Sequence, residues 1–404
     1  LACFIQSVSL ARTVKLDEFG LQIKESKRLL QLLLPDACCD GPSSQTYVEI
    51  QPGERVVAAA ELLGAGRHGT VHNFKDTDSP EGSLVVKCVS VDFRRGSEFG
   101  WRLARLYQEA CIWANLSERQ YEAGRCICIP LLRYFSKFVS NVESEVCFVM
   151  KRAECNLAEW RQAQGCMESE ESLRGLITEC LSIARDVAKC IEFAASQGVA
   201  HNDIRCDNIL VLPMAQAKQA NMEEEGKGTV LENLESRKVV LADFGESICA
   251  TSAAEFSHES RGTECYKSPE MLKVCTSTQA SEKYGQDSDF DRRKVYKWGT
   301  AAPSDVWSFG CFIFELLTGE HLFQEALDEW PAFFTRLCVP TQEQEKQGIL
   351  PASKRERLEE LFGASMAEAI NQLLESILIR DQHLRPSAGQ VASRLEALLL
   401  SASF

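Results

Sequence analysis

His201-Asn202-Asp203-Ile204-Arg205-Cys206-Asp207-Asn208, followed downstream by Asp243-Phe244-Gly245, is the stretch on which the reading of this chain turns. The first run sets a carboxylate and an amide five residues apart. It ends against Ile209-Leu210-Val211-Leu212, an apolar run of the length of a short buried strand. The second run hangs a carboxylate on the end of another apolar run, Val239-Val240-Leu241-Ala242. Such a set suits phosphoryl transfer, which needs an Asp to orient the attacking hydroxyl, and an Asn and a second Asp to hold a metal beside the phosphates.

The 404 residues are 45% hydrophobic and 25% charged, ordinary for a globular chain that can hold one large domain or two modest ones. A net charge of −14 argues against nucleic acid as a partner, because a phosphate footprint needs clustered Lys and Arg. The 18 cysteines contain no CxxC pair, so zinc spacing is missing. Most of them, Cys88, Cys111, Cys180 and Cys311 for example, sit in apolar runs, where reduced thiols serve as small core residues. That usage points to an intracellular, cytoplasmic setting. No stretch approaches the roughly 18 apolar residues of a membrane span. The chain begins with Leu1 and not Met, which is compatible with a piece of a longer protein.

Residues 1 to about 55 read as an extension, in which Leu16 to Leu34 has helical apolar spacing and Pro35 to Ser44 reads as a loop. From Val56 short strands follow, with one helix from roughly Glu98 to Tyr121. Helices dominate after Met150. Leu173, Leu176, Ile177, Cys180, Leu181, Ala184, Val187, Ala188 and Ile191 form one apolar helical stripe, and Gly198 can end it. Ser304 to Leu317 is a second helix, and Lys354 to Leu400 reads as further helices. Two polar stretches, Met214 to Lys238 and Thr276 to Ala302, read as exposed insertions. Strands first and helices afterwards predict an α+β protein in two lobes.

Leu62-Leu63-Gly64-Ala65-Gly66-Arg67-His68-Gly69-Thr70-Val71 has GxGxxGxV spacing, in which glycines let backbone amides approach phosphates. By itself a glycine-rich turn between strands is the commoner explanation. Lys87 lies within the β-like run Leu84-Val85-Val86-Lys87-Cys88-Val89. On the predicted helix Glu109 shares a face with Leu106 and Trp113, and a carboxylate on an apolar face needs a counter-ion. Glu98 and Glu118 sit near the helix ends, where exposure accounts for them, and a lysine inside a β run usually snorkels to a solvent edge. His201 reads as a packed, hydrogen-bonded core residue.

In order and spacing these residues resemble the eukaryotic-type protein kinases, most closely the serine/threonine members. Gly262-Thr263-Glu264-Cys265-Tyr266-Lys267-Ser268-Pro269-Glu270 is similar to the GTxxYxAPE ending of kinase activation segments, with Ser268 in place of Ala. Asp305-Val306-Trp307-Ser308-Phe309-Gly310 resembles DVWSxG, and Arg385 looks like the late arginine that pairs with Glu270. The resemblance covers about residues 56 to 400. It implies a bilobal fold: an antiparallel sheet plus one helix over 56–150, a hinge at 151–153 and a mainly helical lobe over 154–400. It implies ATP and Mg2+ as cofactors and protein substrates. It assigns Asp203, Lys87, Glu109 and Arg205 to catalysis, with Lys87 on the ATP phosphates and paired to Glu109, and Arg205 steadying the transferring phosphoryl charge. Asn208 and Asp243 would bind Mg2+. Leu63, Gly64, Gly66, Gly69, Val71, Val85, Lys87, Met150 (as gatekeeper), Ala153 and Leu210 would line the nucleotide site. Gly262-Thr263 with Tyr266 looks like the serine/threonine members, where the threonine contacts the catalytic Asp and a Lys or Arg.

Asn202 departs from the family, which carries Arg there to grip a phosphate on the activation loop. Two other readings stay open: a kinase-fold scaffold with little turnover, and a small-molecule phosphotransferase, against which the APE-like and DVWSFG segments speak. Regulatory partners could dock on the extension or the insertions.

Overall fold

A computed structural model describes residues 37–38, 61–66, 69–74, 83–165, 170–213, 238–249, 261–273 and 302–402. The helical expectation at Leu16–Leu34 and most of the two insertions lie outside them. The chain divides into two compact units. One runs to Ala123 and takes in Cys128–Arg152; the other holds Gly124–Ile127 and everything from Ala153.

The first unit is an antiparallel sheet with one described α-helix. Its strands are β1 (Ala37–Cys38), β2 (Leu62–Gly66), β3 (Gly69–Phe74), β4 (Leu84–Asp92), β5 (Leu131–Phe138) and β6 (Glu143–Lys151), in the order β1-β5-β6-β4-β3-β2. β4 is the centre because its valine-rich run is buried on both faces. Helix α1 (Gly96–Glu122) lies against one face. Trp113 of α1 packs on Phe148 of β6, ring centroids 5.9 Å apart, and its Nε1 donates to the Ile129 carbonyl at 2.6 Å. Burying a side chain of Phe148's size stabilises by roughly 1.5–3 kcal/mol. Between β2 and β3 the register closes at Gly66 opposite Gly69. Gly69 is required there: its φ is +140°, and an added Cβ would lie 2.4 Å from the Cys88 carbonyl oxygen.

β1 is a difference from the sequence reading, which has a loop at Pro35–Ser44. Ala37 and Cys38 pair antiparallel with Tyr134 and Arg133 of β5. Two residues are too few for a period-2 pattern to register.

The second unit is mainly helical. Its helices are α2 (Leu157–Ala163), α3 (Glu170–Ser196), α4 (Ala302–Thr318), α5 (Trp330–Cys338), α6 (Ala352–Phe362), α7 (Ala364–Ile377) and α8 (Ala388–Ala402). Side chains Ser304 through Thr318 of α4 are all buried, as expected of a helix apolar all round. Ala302, read as the end of an insertion, opens this helix. Within 320–353, α5 is short and starts with Pro331 in its first turn, and the single turn Gln342–Lys346 is held by a Thr341–Gln344 capping box. Two small antiparallel pairings complete the unit. β7 (Cys155–Asn156) and β10 (Val239–Leu241) flank β9 (Ile209–Val211), and β8 (Val199–Ala200) pairs with β11 (Ile248–Cys249). The α+β class follows, with the sheet in the N-terminal unit and the helices in the C-terminal one. No described helix is long and apolar enough to cross a membrane.

Buried Cys88, Cys180 and Cys311 pack as small core groups, whereas Cys111 is half-buried. Burial pushes the Cys180 thiol up to about 12, which keeps it protonated and inert.

Candidate active site

In the sheet unit, Lys87 of β4 sits opposite Val71 of β3 and Phe148 of β6. Its Nζ donates to Glu109 Oε1 at 2.7 Å, and both side chains are buried. Leu106 and Trp113 are buried on the same helical face as Glu109, so the carboxylate is presented from an apolar surface and the ammonium is its counter-charge. Val85 and Met150 face each other across β4 and β6 and are buried. Val71 is half-buried and Leu63 exposed; Gly64 and Gly66 lie on β2, where an added Cβ would meet open space.

In the helical unit, Asp203 holds the centre of a hydrogen-bond cluster. Oδ1 accepts from the Thr263 backbone N–H at 3.0 Å and from Thr263 Oγ1 at 2.8 Å. Oδ2 accepts from Asn208 Nδ2 at 2.7 Å, and the same amide donates to the Asp203 carbonyl at 2.9 Å. Arg205 donates from Nη1 to Thr263 Oγ1 at 3.0 Å and from Nε to Asp207 Oδ2 at 2.8 Å. Burial disfavours the charge of Arg205, yet Asp207 beside it and Asp203 beyond hold its pKa above the ordinary value. The threonine hydroxyl therefore joins the proposed catalytic Asp and the following Arg, the contact that the family resemblance implies.

Thr263 reaches Asp203 because the chain turns sharply before it. Gly262 has φ +76°, and an added Cβ would lie 2.3 Å from the Asn202 carbonyl oxygen. Asn202 itself is left-handed at φ +63°, a region that Asn tolerates better than most side chains. Its Nδ2 donates to the Glu246 carbonyl at 3.2 Å, and buried Arg261 donates to the same carbonyl at 3.1 Å. Asp243 is also left-handed, φ +62°, and its carboxylate accepts from the Gly245 N–H. The strand ends are tied together by the Ala242 N–H, which donates to the Asn208 carbonyl at 2.9 Å. Ala153 and Leu210 are both half-buried, on opposite sides of β7 in the chain.

His201 is buried, its ring against Phe244 at 5.2 Å between centroids, with Nε2 3.0 Å from the Ala242 carbonyl and Nδ1 3.3 Å from the Asp203 backbone N–H. Sequence reasoning missed what holds this loop from below. Asp305, on α4, accepts the His201 N–H at 2.7 Å and the Asn202 N–H at 2.6 Å. Burial pushes its carboxyl up to about 6, although His201 and the two N–H donors pull the other way. Its place at the start of the DVWSFG segment was the only signal. Also unread was Glu315, whose Oε2 accepts from Tyr266 OH at 2.6 Å and from the Cys206 N–H at 3.4 Å. Burial first, and then Glu315, drive the Tyr266 pKa far above the phenolic range, so it stays a donor.

Glu270 and Arg385 meet as expected, two N–H···O contacts at 2.5 and 2.7 Å with both side chains out of solvent. Arg385 stacks over Trp307 at 5.2 Å and donates to the Ile379, Pro303 and Arg380 carbonyls.

Similar proteins bear kinase names. A probable serine/threonine-protein kinase of Dictyostelium discoideum is 34% identical over 251 residues, 62% of this chain and 9% of that protein. The serine/threonine-protein kinase TDA1 of Saccharomyces cerevisiae is 27% identical over 161 residues, 40% of this chain and 26% of that protein. The serine/threonine-protein kinase AFC2 of Arabidopsis thaliana is 25% identical over 232 residues, 54% of this chain and 47% of that protein. The chain thus spans less than half the length of each of these relatives. A family model described as the protein kinase domain matches residues 57–291, more than half of the chain. With the Lys87–Glu109 pair on one unit and the Asp203–Asn208–Thr263 cluster on the other, this match makes the chain a member of the protein kinase domain family.

Proposed function

We propose that this chain is an ATP- and Mg2+-dependent protein serine/threonine kinase whose domain runs from about residue 56 to 400, with a hinge at 151–153. The observation that carries the reading is the Asp203 cluster. A carboxylate offers about four lone-pair sites. Two on Oδ1 are taken by Thr263 and one on Oδ2 by Asn208, which leaves one Oδ2 site to accept a substrate hydroxyl. Asp203 orients that hydroxyl and takes its proton as the oxygen bonds to the γ-phosphorus of ATP and the bond to the ADP oxygen breaks. Lys87, fixed by Glu109, contributes a positive charge to the phosphates. Arg205 acts from the Thr263 hydroxyl and steadies the charge of the phosphoryl group.

Asn208 and Asp243 supply the hard oxygens a Mg2+ ion takes. The fit is chemical. Both Asp203 oxygens bonded to the Asn208 amide are acceptors, so that amide must present Nδ2 to them and keep Oδ1 for a cation. Bound there, Mg2+ would neutralise phosphate charge. Leu63, Gly64, Gly66, Gly69, Val71, Val85, Met150, Ala153 and Leu210 would enclose the nucleotide.

Serine/threonine specificity rests on the Gly262-Thr263 contact to Asp203, and on the names of the relatives. Transfer of labelled γ-phosphate to a mixture of generic proteins, followed by phospho-amino-acid analysis, tests both. Label on serine and threonine is expected. Label confined to tyrosine would refute the specificity, and folded, MgATP-binding protein without transfer would favour the scaffold.

Asn202 leads to a second expectation. A neutral amide cannot make the bidentate, charge-assisted contact that an arginine makes to phosphate. Here the amide binds Glu246 instead, beside Arg261. Phosphatase treatment is expected to leave activity within about twofold, a small fraction of the tenfold that 1.4 kcal/mol represents. Activity abolished by phosphatase and restored by re-phosphorylation would show the opposite.

A further inference from the structure

Strand register in the N-terminal unit brings together three metal-ligating side chains that the sequence keeps apart. Cys88 on β4 lies directly opposite Cys147 on β6. Glu145 comes two residues before Cys147 on the same strand, so it projects from the same face of the sheet. The two Sγ atoms are 3.6 Å apart, and a Glu145 carboxylate oxygen lies within 4.8 Å of both. The cysteines are 59 residues apart in the chain, so no CxxC-type spacing announces the set; strand pairing creates it. A cross-strand thiol pair is by itself an ordinary core contact. The carboxylate beside it changes the chemistry, because two soft sulfurs and one hard oxygen make a donor set for a borderline cation. Among the described residues no other group of three such ligands comes together.

We propose that Cys88, Glu145 and Cys147 form a zinc-binding site on the sheet of the N-terminal unit. With Zn–S bonds of about 2.3 Å, two sulfurs of a tetrahedral site lie about 3.8 Å from each other. The 3.6 Å between the thiols is already close to that edge. A sulfur and a carboxylate oxygen on one zinc lie about 3.6 Å apart, so Glu145 has to close in by about 1 Å at most, a side-chain rotation. Three protein ligands leave a fourth position for water. Calcium and magnesium do not suit the set, because both take about six or more ligands, oxygens throughout. Binding is a ligand exchange with no change of oxidation state. The two thiols give their protons to solvent and form S–Zn bonds, and the ion sheds water in return. Side chains alternate along β4, so the zinc would tie β4 to β6 on the face opposite the Lys87–Glu109 pair.

Titration of the whole, reduced chain with Co2+ and then Zn2+ tests the site. Co2+ should give thiolate-to-metal charge-transfer absorption and the visible bands of a tetrahedral ion, and an equimolar amount of Zn2+ should abolish both. Cys88→Ser and Cys147→Ser should each weaken Zn2+ binding by about a hundredfold or more, since even an outer-shell partner of a metal is worth about 10–100-fold. Glu145→Gln, which keeps the shape of the side chain, should weaken it by about tenfold and retain the charge-transfer band. Cys249→Ser, an exposed thiol of the other unit, should change nothing. Two thiols lose protons for each ion bound, so Zn2+ affinity should fall by about a hundredfold per pH unit where free thiols are protonated. A chain that takes no Zn2+ from a chelating dye of micromolar affinity would overturn the proposal. Zn2+ held as tightly by the two serine variants as by the parent would place the metal elsewhere and overturn it too. Where those variants do not fold, unchanged affinity in Glu145→Gln together with a flat pH dependence in the parent has the same force. A Cys88–Cys147 disulfide that survives millimolar glutathione would also refute the site, because it leaves no thiolates to coordinate.

Discussion

Arg385→Ala is expected to destabilise the protein by about 3–5 kcal/mol, because it leaves the buried Glu270 carboxylate without its counter-charge. The damage does not stop at the ion pair. The Ile379, Pro303 and Arg380 carbonyls lose a donor, and the guanidinium leaves the face of Trp307. In a domain of this size each kcal/mol moves the thermal midpoint by about 2–4 °C, so a drop of roughly 10 °C is the expected reading by circular dichroism. Arg385→Lys should fall in between, since it restores charge but not the two-pronged geometry. Glu270→Met/Arg385→Met should be less damaging than Arg385→Ala, since no buried charge is then stranded. A midpoint for Arg385→Ala within about 2 °C of the parent, less than 1 kcal/mol would give, would show that the pair is unimportant.

The same pair fixes a pH signature. Burial alone would push the Glu270 carboxyl up, but the charge and hydrogen bonds of Arg385 outweigh it and hold the folded value below the ordinary 4.5. A depressed folded value gives stability that is present above 4.5 and is lost as pH falls through the lower folded value. Without Arg385 burial prevails and the sign reverses: the stranded carboxylate is relieved by protonation. The gap in thermal midpoint between parent and Arg385→Ala should therefore narrow between pH 7 and pH 5. A constant gap would place the cost in the lost carbonyl contacts.

What could be read in the sequence was the chemistry whose physical reason is local. That Glu109 needs a counter-ion could be read from the residues alone, because a carboxylate on the face of Leu106 and Trp113 is intolerable by itself; that Lys87 supplies it came from the family resemblance. The strand ends at Asn208 and Asp243 were legible as carboxylate and amide at the edge of apolar runs. Partners chosen by the fold were not. Asp305 lies about a hundred residues from the two N–H groups it accepts, and nothing in its neighbours says which loop will arrive there. The same holds for Glu315 under Tyr266. The contact of Arg205 to Thr263 is an expectation of the family resemblance alone, and its contact to Asp207 was not foreseen. Helices such as α5 are too short for a periodic signal.

Asp203→Ala is expected to lower the rate of phosphoryl transfer by about 10²–10⁴, the usual yield of a positioned general base, with the thermal shift given by MgATP retained. The substitution removes the one Oδ2 site that the cluster leaves open, and it touches neither Lys87 nor Glu109. The informative comparison is Thr263→Val, which keeps the backbone N–H on Oδ1 at 3.0 Å but deletes the hydroxyl shared with Arg205. If Thr263 works by holding Asp203 and Arg205 in register, Thr263→Val should cost about tenfold in kcat with little change in KM for ATP. Groups that act as a unit are not additive, so Asp203→Ala/Thr263→Val should be no slower than Asp203→Ala alone. A double variant slower by the full product of the two effects would mean that Thr263 acts independently of Asp203, on the substrate itself. An Asp203→Ala protein as active as its parent would remove the catalytic assignment, however well the cluster is formed.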